Sequence, residues 1–287
     1  MTSVVAGLAC AATWAVASLM FSRLSQEVHP HALNLAKCAL ATPLLLLTSL
    51  LIGRGWPELS TGATLALLAS SALGLAVADT AYISALKRVG TRAVLLVPLV
   101  PVMTTLIAVP ALGEPLTLGS IVGMAVTLVG IGIVVRAGSP GVERKAFGVL
   151  GVLEGALYAI GQAGANVLVK SAVIEADPLH VTILRLSFGT AIILLLLPFF
   201  GGLRLLAPFA RVRIGGTTAV ATLIGTYGGI WLGSIALKSL PAGVATTLAA
   251  TTPIWALAIA RALGEPITQR ALAGAAMAVV GVGVLVW

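Results

Sequence analysis

Charged residues make up only 9% of this 287-residue chain. Soluble domains carry about a quarter, so the scarcity alone excludes an ordinary water-exposed surface. Cysteine is nearly absent as well: Cys10 and Cys38 both fall in apolar runs and read as small buried hydrophobes rather than a disulfide. Histidine occurs three times. His29 and His31 share one loop while His180 opens a helix on the other side, so the three cannot converge on one metal. A phosphate-binding glycine loop, a cysteine pair and a nucleophile motif are all missing, and no stretch is left over for a soluble nucleotide-binding domain. Catalysis, a resident cofactor and ATP-driven work are therefore not expected.

What is abundant is apolar length. Hydrophobic residues form 59% of the chain and the mean hydropathy is +1.10. The runs suit helices that cross a bilayer in about 20 residues, and exceed barrel strands of about 10. Ten spans are read, at about 3–22, 31–52, 62–86, 93–112, 116–136, 147–169, 178–198, 213–237, 242–263 and 267–287. The first lacks a basic leader and is read as a permanent helix, not a signal peptide.

The chain repeats itself. Ala111–Val134 reads ALGEPLTLGSIVGMAVTLVGIGIV, and Ala262–Leu285, 151 positions later, reads ALGEPITQRALAGAAMAVVGVGVL. Eleven of the twenty-four positions are identical. Ala85, Leu86 and Lys87 recur as Ala236, Leu237 and Lys238, Pro101 matches Pro253, and Pro30 with Lys37 match Pro178 with Arg185. On this alignment Trp14 falls opposite Tyr158. The expected units are 1–136, a loop 137–146, and 147–287. Five spans per copy is odd, so the second copy enters the membrane from the opposite side. The fold expected is all-α and integral to the membrane, with ten transmembrane helices as two inverted five-helix repeats around a central cavity.

On these residues the chain resembles the drug/metabolite transporter superfamily, and specifically its ten-helix EamA family. The resemblance covers the whole length. It rests on the basic residue of the second helix in each copy (Lys37, Arg185), on the aromatic-rich Ala-Leu-Lys ends at Tyr82–Lys87 and Trp231–Lys238, and on Pro101 with Gly113-Glu114 and Pro253 with Gly264-Glu265. It implies a multi-pass secondary transporter of the cytoplasmic membrane, moving small organic metabolites by alternating access. Amino-acid export, by proton coupling or exchange, is the activity the resemblance favours. A passive facilitator, or a carrier of organic cations or nucleotide-type metabolites, is the alternative. The partners are a small-molecule substrate and membrane lipids, as monomer or homodimer, and no nucleic acid is implied.

Lysines and arginines are unevenly shared between the two sets of loops. Loops 1-2, 3-4, 5-6, 7-8 and 9-10 hold Arg23, Lys87, Arg88, Arg92, Arg136, Arg144, Lys145, Arg204, Arg211, Arg213, Arg261 and Arg270; the opposite loops hold Arg54, Lys170 and Lys238. Positive charge stays inside. The count puts both termini outside, against the habit of the superfamily, and the net charge of +8 is then a cytoplasmic rim facing anionic lipid.

Several side chains are candidates for solute contact. In the sixth span Glu154, Tyr158, Gln162 and Asn166 recur every four residues and form one polar stripe. The matching stripe in the first span is Cys10, Trp14, Ser18 and Ser22. Polar packing between helices is the competing reading. Asp79 and Tyr82 share a face of the third span, and Tyr227 and Trp231 a face of the eighth. Trp14, Tyr82, Tyr158, Tyr227 and Trp231 then suit an amphipathic organic solute. Asp79 and Glu154, carboxyls at depth, are the proton-coupling candidates, although Asp79 can instead pair with Lys37 or Arg185. Glu114 and Glu265 read as structural residues of the Gly-Glu-Pro corners. Pro98, Pro101 and Pro253 are the expected gating kinks. Gly119, Gly123, Gly130 and Gly132, repeated as Gly274, Gly281 and Gly283, are expected to let the fifth and tenth spans pack closely.

Overall fold

The computed structural model describes residues 1–53, 55–89, 97–137, 149–264 and 267–286. Regular structure among them is helical throughout: α1 (Thr2–Glu27), α2 (Pro30–Ile52), α3 (Thr61–Ser70), α4 (Thr80–Val89), α5 (Leu99–Leu112), α6 (Leu118–Ala137), α7 (Val149–Val173), α8 (Pro178–Leu196), α9 (Val212–Ala221), α10 (Ile230–Ser239), α11 (Ala242–Ala249), α12 (Thr252–Ala262) and α13 (Gln269–Val286). A π-helical stretch, Ser71–Asp79, joins α3 to α4 in one rod, and Thr222–Gly229 joins α9 to α10 in another. The connection after α8 winds into two 3₁₀ stretches, Leu197–Phe200 and Gly202–Ala210.

Local chemistry explains where the helices begin and end. Pro30 and Pro178 open α2 and α8 at a position whose amide would be unpaired anyway, and the Asp177 carboxylate accepts from the Leu179 amide. Ser60 caps α3 through the Ala63 amide. Gly53 and Gly113 end α2 and α5 in the left-handed region, with φ of 69° and 64°, where a side chain is strained.

Among the described residues, seven helices are long and apolar enough to cross a bilayer, and Leu99–Leu112 and Gln269–Leu285 are shorter apolar helices. Their outward side chains are hydrophobic: Leu47, Leu50, Leu51, Leu195, Leu272, Val279 and Val280 are all exposed. A water-facing protein does not leave such a surface open; in lipid it costs nothing. Two of the expected spans differ in form. The fourth begins at Leu99 among the described residues, and the ninth is divided at Ala250–Thr251 into α11 and α12.

The duplication is visible in the packing. The two π-helical stretches start at Ser71 and Thr222, separated by the same 151 positions as the Gly-Glu-Pro repeats. A Cβ placed on Gly130 would stand 2.5 Å from the Ala278 amide nitrogen and 2.6 Å from the Gly274 carbonyl. One on Gly281 would collide with the Thr127 amide and stand 2.9 Å from the Gly123 carbonyl. Gly130 thus meets Gly274 while their repeat partners, Gly281 and Gly123, meet each other, as a two-fold axis between α6 and α13 requires. Position numbers rise along one helix as they fall along the other, so the pair is antiparallel. Of the seven glycines expected at this contact, Gly123, Gly130, Gly274 and Gly281 form it, whereas Gly132 and Gly283 face open space and Gly119 meets only its neighbour Thr117.

One expected correspondence is off by a helical turn. Gly74 and Gly225 are repeat partners, and a Cβ on Gly74 would lie 2.6 Å from the Ala165 side chain while one on Gly225 would collide with that of Ala17. Ala17 therefore matches Ala165, which sets Trp14 opposite Gln162 rather than Tyr158. The slip is invisible to a periodicity of four, because moving one turn along a helix keeps the same face.

Contacts at the helix ends define two ends of the bundle. Glu27, closing α1, pairs with Arg213 at the start of α9, and Gln26 donates to the carbonyls of Leu86 and Lys87 at the end of α4. Lys170, near the end of α7, donates to the carbonyls of Leu237 and Leu240 at the far end of the α9–α10 rod. Helices α1 and α7 therefore finish at opposite ends.

Candidate functional site

The helices that begin each repeat and the two π-bearing rods enclose one cavity of about 970 Å³, its mouth included. Cys10, Trp14 and Ser18 from α1, Tyr158, Gln162 and Asn166 from α7, and Leu75, Asp79 and Tyr82 from the first rod line it. Gly229, Ile230, Gly233 and Ser234 complete the wall from the second rod, with Thr246 and Thr252 from α11 and α12. Tyr82 and Tyr158 stack with centroids 4.8 Å apart, making an aromatic floor.

Asp79 closes the π-helical stretch and lines the cavity. Lys37, reaching in from α2, forms a buried ion pair with it, and the Lys37 ammonium also lies 5.7 Å from the centre of the Trp14 ring. The pairing expected as an alternative role for Asp79 is the one observed. Asn34, one turn before Lys37, donates to the Leu75 carbonyl at 2.6 Å and to Thr80 at 2.8 Å. It ties α2 to the first π-helical stretch and the start of α4. Arg185, the repeat partner of Lys37, also lines the cavity and is 5% exposed. Its Nε and Nη2 lack a hydrogen-bond partner, as does Gln162 Oε1.

Three expected contact residues stand elsewhere. Glu154 accepts from Ser84 at 2.6 Å and from Arg88 Nε at 2.8 Å, near the end of α4, outside the cavity lining. Its place in the stripe is real, but the stripe climbs the helix toward the rim, where half-exposed Arg88 meets it. Tyr227 bonds to Thr48 at 2.8 Å and meets Trp231 edge-on at 6.0 Å. Both pack against the core beside α2 and α8, and their repeat partners Ala76 and Thr80 likewise stand outside the cavity lining.

Glu114 accepts from the Ala242 amide at 2.7 Å and lies 3.7 Å from Lys170. It caps α11 rather than the next helix in sequence, a placement only tertiary packing reveals. Glu265 lies outside the described residues, as do Arg54, Arg92, Arg144 and Lys145. Pro98 and Pro101 sit at the start of α5, whereas Pro253 opens α12 directly after the break in the ninth span. His29 stacks on His31 at 5.5 Å and His31 on Phe200 at 3.7 Å, while His180 bonds to Ser49 and meets Trp56. Burial and the nearby Lys87 charge hold the His29 imidazole below its ordinary pKa. Among the described residues, no cluster of potential metal ligands occurs.

An all-helical, multi-pass membrane protein with an aromatic and polar cavity at its centre is the class these features define. The EamA-like transporter family model matches residues 1–136 and again 149–287. The chain belongs to that family, a family of small-molecule transporters and not of enzymes. A protein known from its crystal structure shares the fold, with a TM-score of 0.76 over 98% of this chain and 94% of that one, at 17% identity. No curated protein matches the sequence.

Proposed function

We propose that this protein is a secondary carrier whose ten transmembrane helices form two inverted repeats, 1–136 and 147–287, and expose the central cavity alternately to the two sides of the cytoplasmic membrane. The observation that carries the reading is the reciprocal glycine contact of antiparallel α6 and α13. Two copies joined there in opposite senses have two equivalent arrangements, one the mirror in sidedness of the other. The finishing of α1 and α7 at opposite ends supports the same inversion. Trp14, Asp79, Tyr82, Tyr158, Gln162 and Asn166 are the proposed substrate contacts. Their mixture of aromatic faces and polar tips favours amino acids or related metabolites, and cytoplasmic positive charge orients both termini outward.

Of the two coupling candidates, Asp79 is retained because it lines the cavity. Protonating its carboxylate would release Lys37 and alter the field across the cavity. Pro253, at the break between α11 and α12, is the proposed hinge. Reconstituted protein should show saturable counterflow of amino acids, trans-stimulated by unlabelled solute. Linear, unsaturable flux would assign the bundle to the passive facilitators instead.

A further inference from the structure

Two equal halves have produced an ion pair in one half and only half of a pair in the other. Lys37 on α2 meets Asp79. The repeat partner of Lys37 is Arg185 on α8, and the repeat partner of Asp79 is Ile230, which lines the cavity in place of a carboxylate. Arg185 is consequently left with Nε and Nη2 unpaired, although it is 5% exposed.

A guanidinium cannot shed its charge as a lysine can, and it is not stable in an apolar interior without an acceptor. Among the described residues, the other buried cations have hydrogen-bonded partners: Lys37 has Asp79, and Lys170 has Glu114 and the carbonyls of Leu237 and Leu240. Arg185 differs from these: it feels the Asp79 carboxylate across the cavity, but its Nε and Nη2 make no hydrogen bond.

The space around it has a definite geometry. Gly74 lies against the guanidinium, where a Cβ would stand 2.7 Å from Nη2 and 3.0 Å from Gln162 Oε1. Any side chain there would displace both groups, so the glycine is what lets Arg185 and Gln162 pack against the π-helical backbone at the cavity wall. A donor and an acceptor, both buried and both unanswered, share one pocket with the Tyr82–Tyr158 stack.

We infer that the solute itself supplies the absent carboxylate: Arg185 is the receptor for a carboxylate-bearing substrate, and the Lys37–Asp79 pair is the protein's internal copy of the complex the substrate forms. Planar, two-pronged recognition suits carboxylate best. Gln162 Oε1 then accepts from the substrate's ammonium or amide N–H. This deepens the carrier reading and rests on its assignment of the cavity.

The test uses the full chain in detergent, titrated with the twenty protein amino acids by thermal unfolding and by intrinsic tryptophan fluorescence. Each acid that binds is compared with its carboxamide and with its N-acetyl derivative. The carboxamide should bind about 10- to 100-fold more weakly, as loss of charge-assisted hydrogen bonds implies, while the N-acetyl acid keeps most of the affinity. Arg185→Gln should abolish the discrimination between acid and amide. Ile230→Asp should lower acid affinity at least about tenfold, because it installs the missing partner in the protein, and should melt no lower than the parent without ligand.

Equal affinity for acid and carboxamide overturns the inference, as does parental acid binding by both variants or a panel in which no carboxylate binds. The carrier reading fails separately. Arg185-dependent binding with unsaturable flux removes the carrier and keeps the carboxylate site; saturable counterflow of solutes without a carboxylate removes the site and keeps the carrier.

Discussion

Lys37 illustrates what burial demands of a charge. Its ammonium is satisfied by one carboxylate and an aromatic face, and removing either charged partner strands the other in a medium that cannot solvate it. Lys37→Met and Asp79→Asn should each lower stability by about 3–5 kcal/mol, whereas the double substitution should regain most of the loss. Thermal unfolding of the three variants checks this, and additive single effects would refute the pairing. The cation is evident from an apolar run interrupted by lysine, and its partner is narrowed by sequence to few carboxylates. Glu154 departs from its expected place for a simple reason: a four-residue period shows a shared face, but the depth of a residue along that face depends on where the helix ends and what meets it there. Arg88 meets it.

At the scale of elements, the membrane denies helices a hydrophobic reason to associate, so close backbone approach becomes the main attraction. The α6–α13 seam is built that way, and its glycines are not equivalent. Gly130→Ala should cost about 1–3 kcal/mol through overpacking against Ala278. Gly132→Ala, facing open space, should stay within about 0.5 kcal/mol of the parent. Comparison of melting temperatures in detergent decides it. The repeated glycines are legible in the sequence, but which four form the seam is not, since choosing a face requires the partner helix. The π-helical stretches escape sequence reading for a related reason. The first is tied to other helices by side chains, Asn34 of α2 donating to the Leu75 carbonyl and Ser71, within the stretch, donating to the Arg185 carbonyl of α8. The same face of both rods then lines the cavity, Asp79 and Tyr82 in one and their repeat partners Ile230 and Gly233 in the other, while Tyr227 and Trp231 stand on a different face.

Across the whole molecule, inversion requires that corresponding corners lie on opposite faces of the bilayer. Cysteines substituted for Glu114 and Glu265, in a chain with Cys10 and Cys38 replaced, should be labelled by a membrane-impermeant maleimide from opposite sides of oriented vesicles. Labelling of both from one side would remove the inverted geometry. The charge asymmetry belongs to this scale too. Of the three basic residues in the sparse loops, Lys170 lies beside Glu114 and Lys238 donates to the Ala176 carbonyl.

Composition and repetition alone determined that the chain lives in lipid, is helical, and is built twice over. These properties arise from local length and periodicity: an apolar run of about 20 residues has no other stable home. The paired cations were equally plain, because charge in such a run stands out. Tertiary structure decided the register of the first repeat helix, the partner of Glu114, the removal of Glu154, Tyr227 and Trp231 from the cavity, and the solitude of Arg185. Each depends on which atoms arrive from distant segments. A side chain's partners in a low-dielectric interior are set by three-dimensional neighbours, and sequence spacing reaches only as far as one helix.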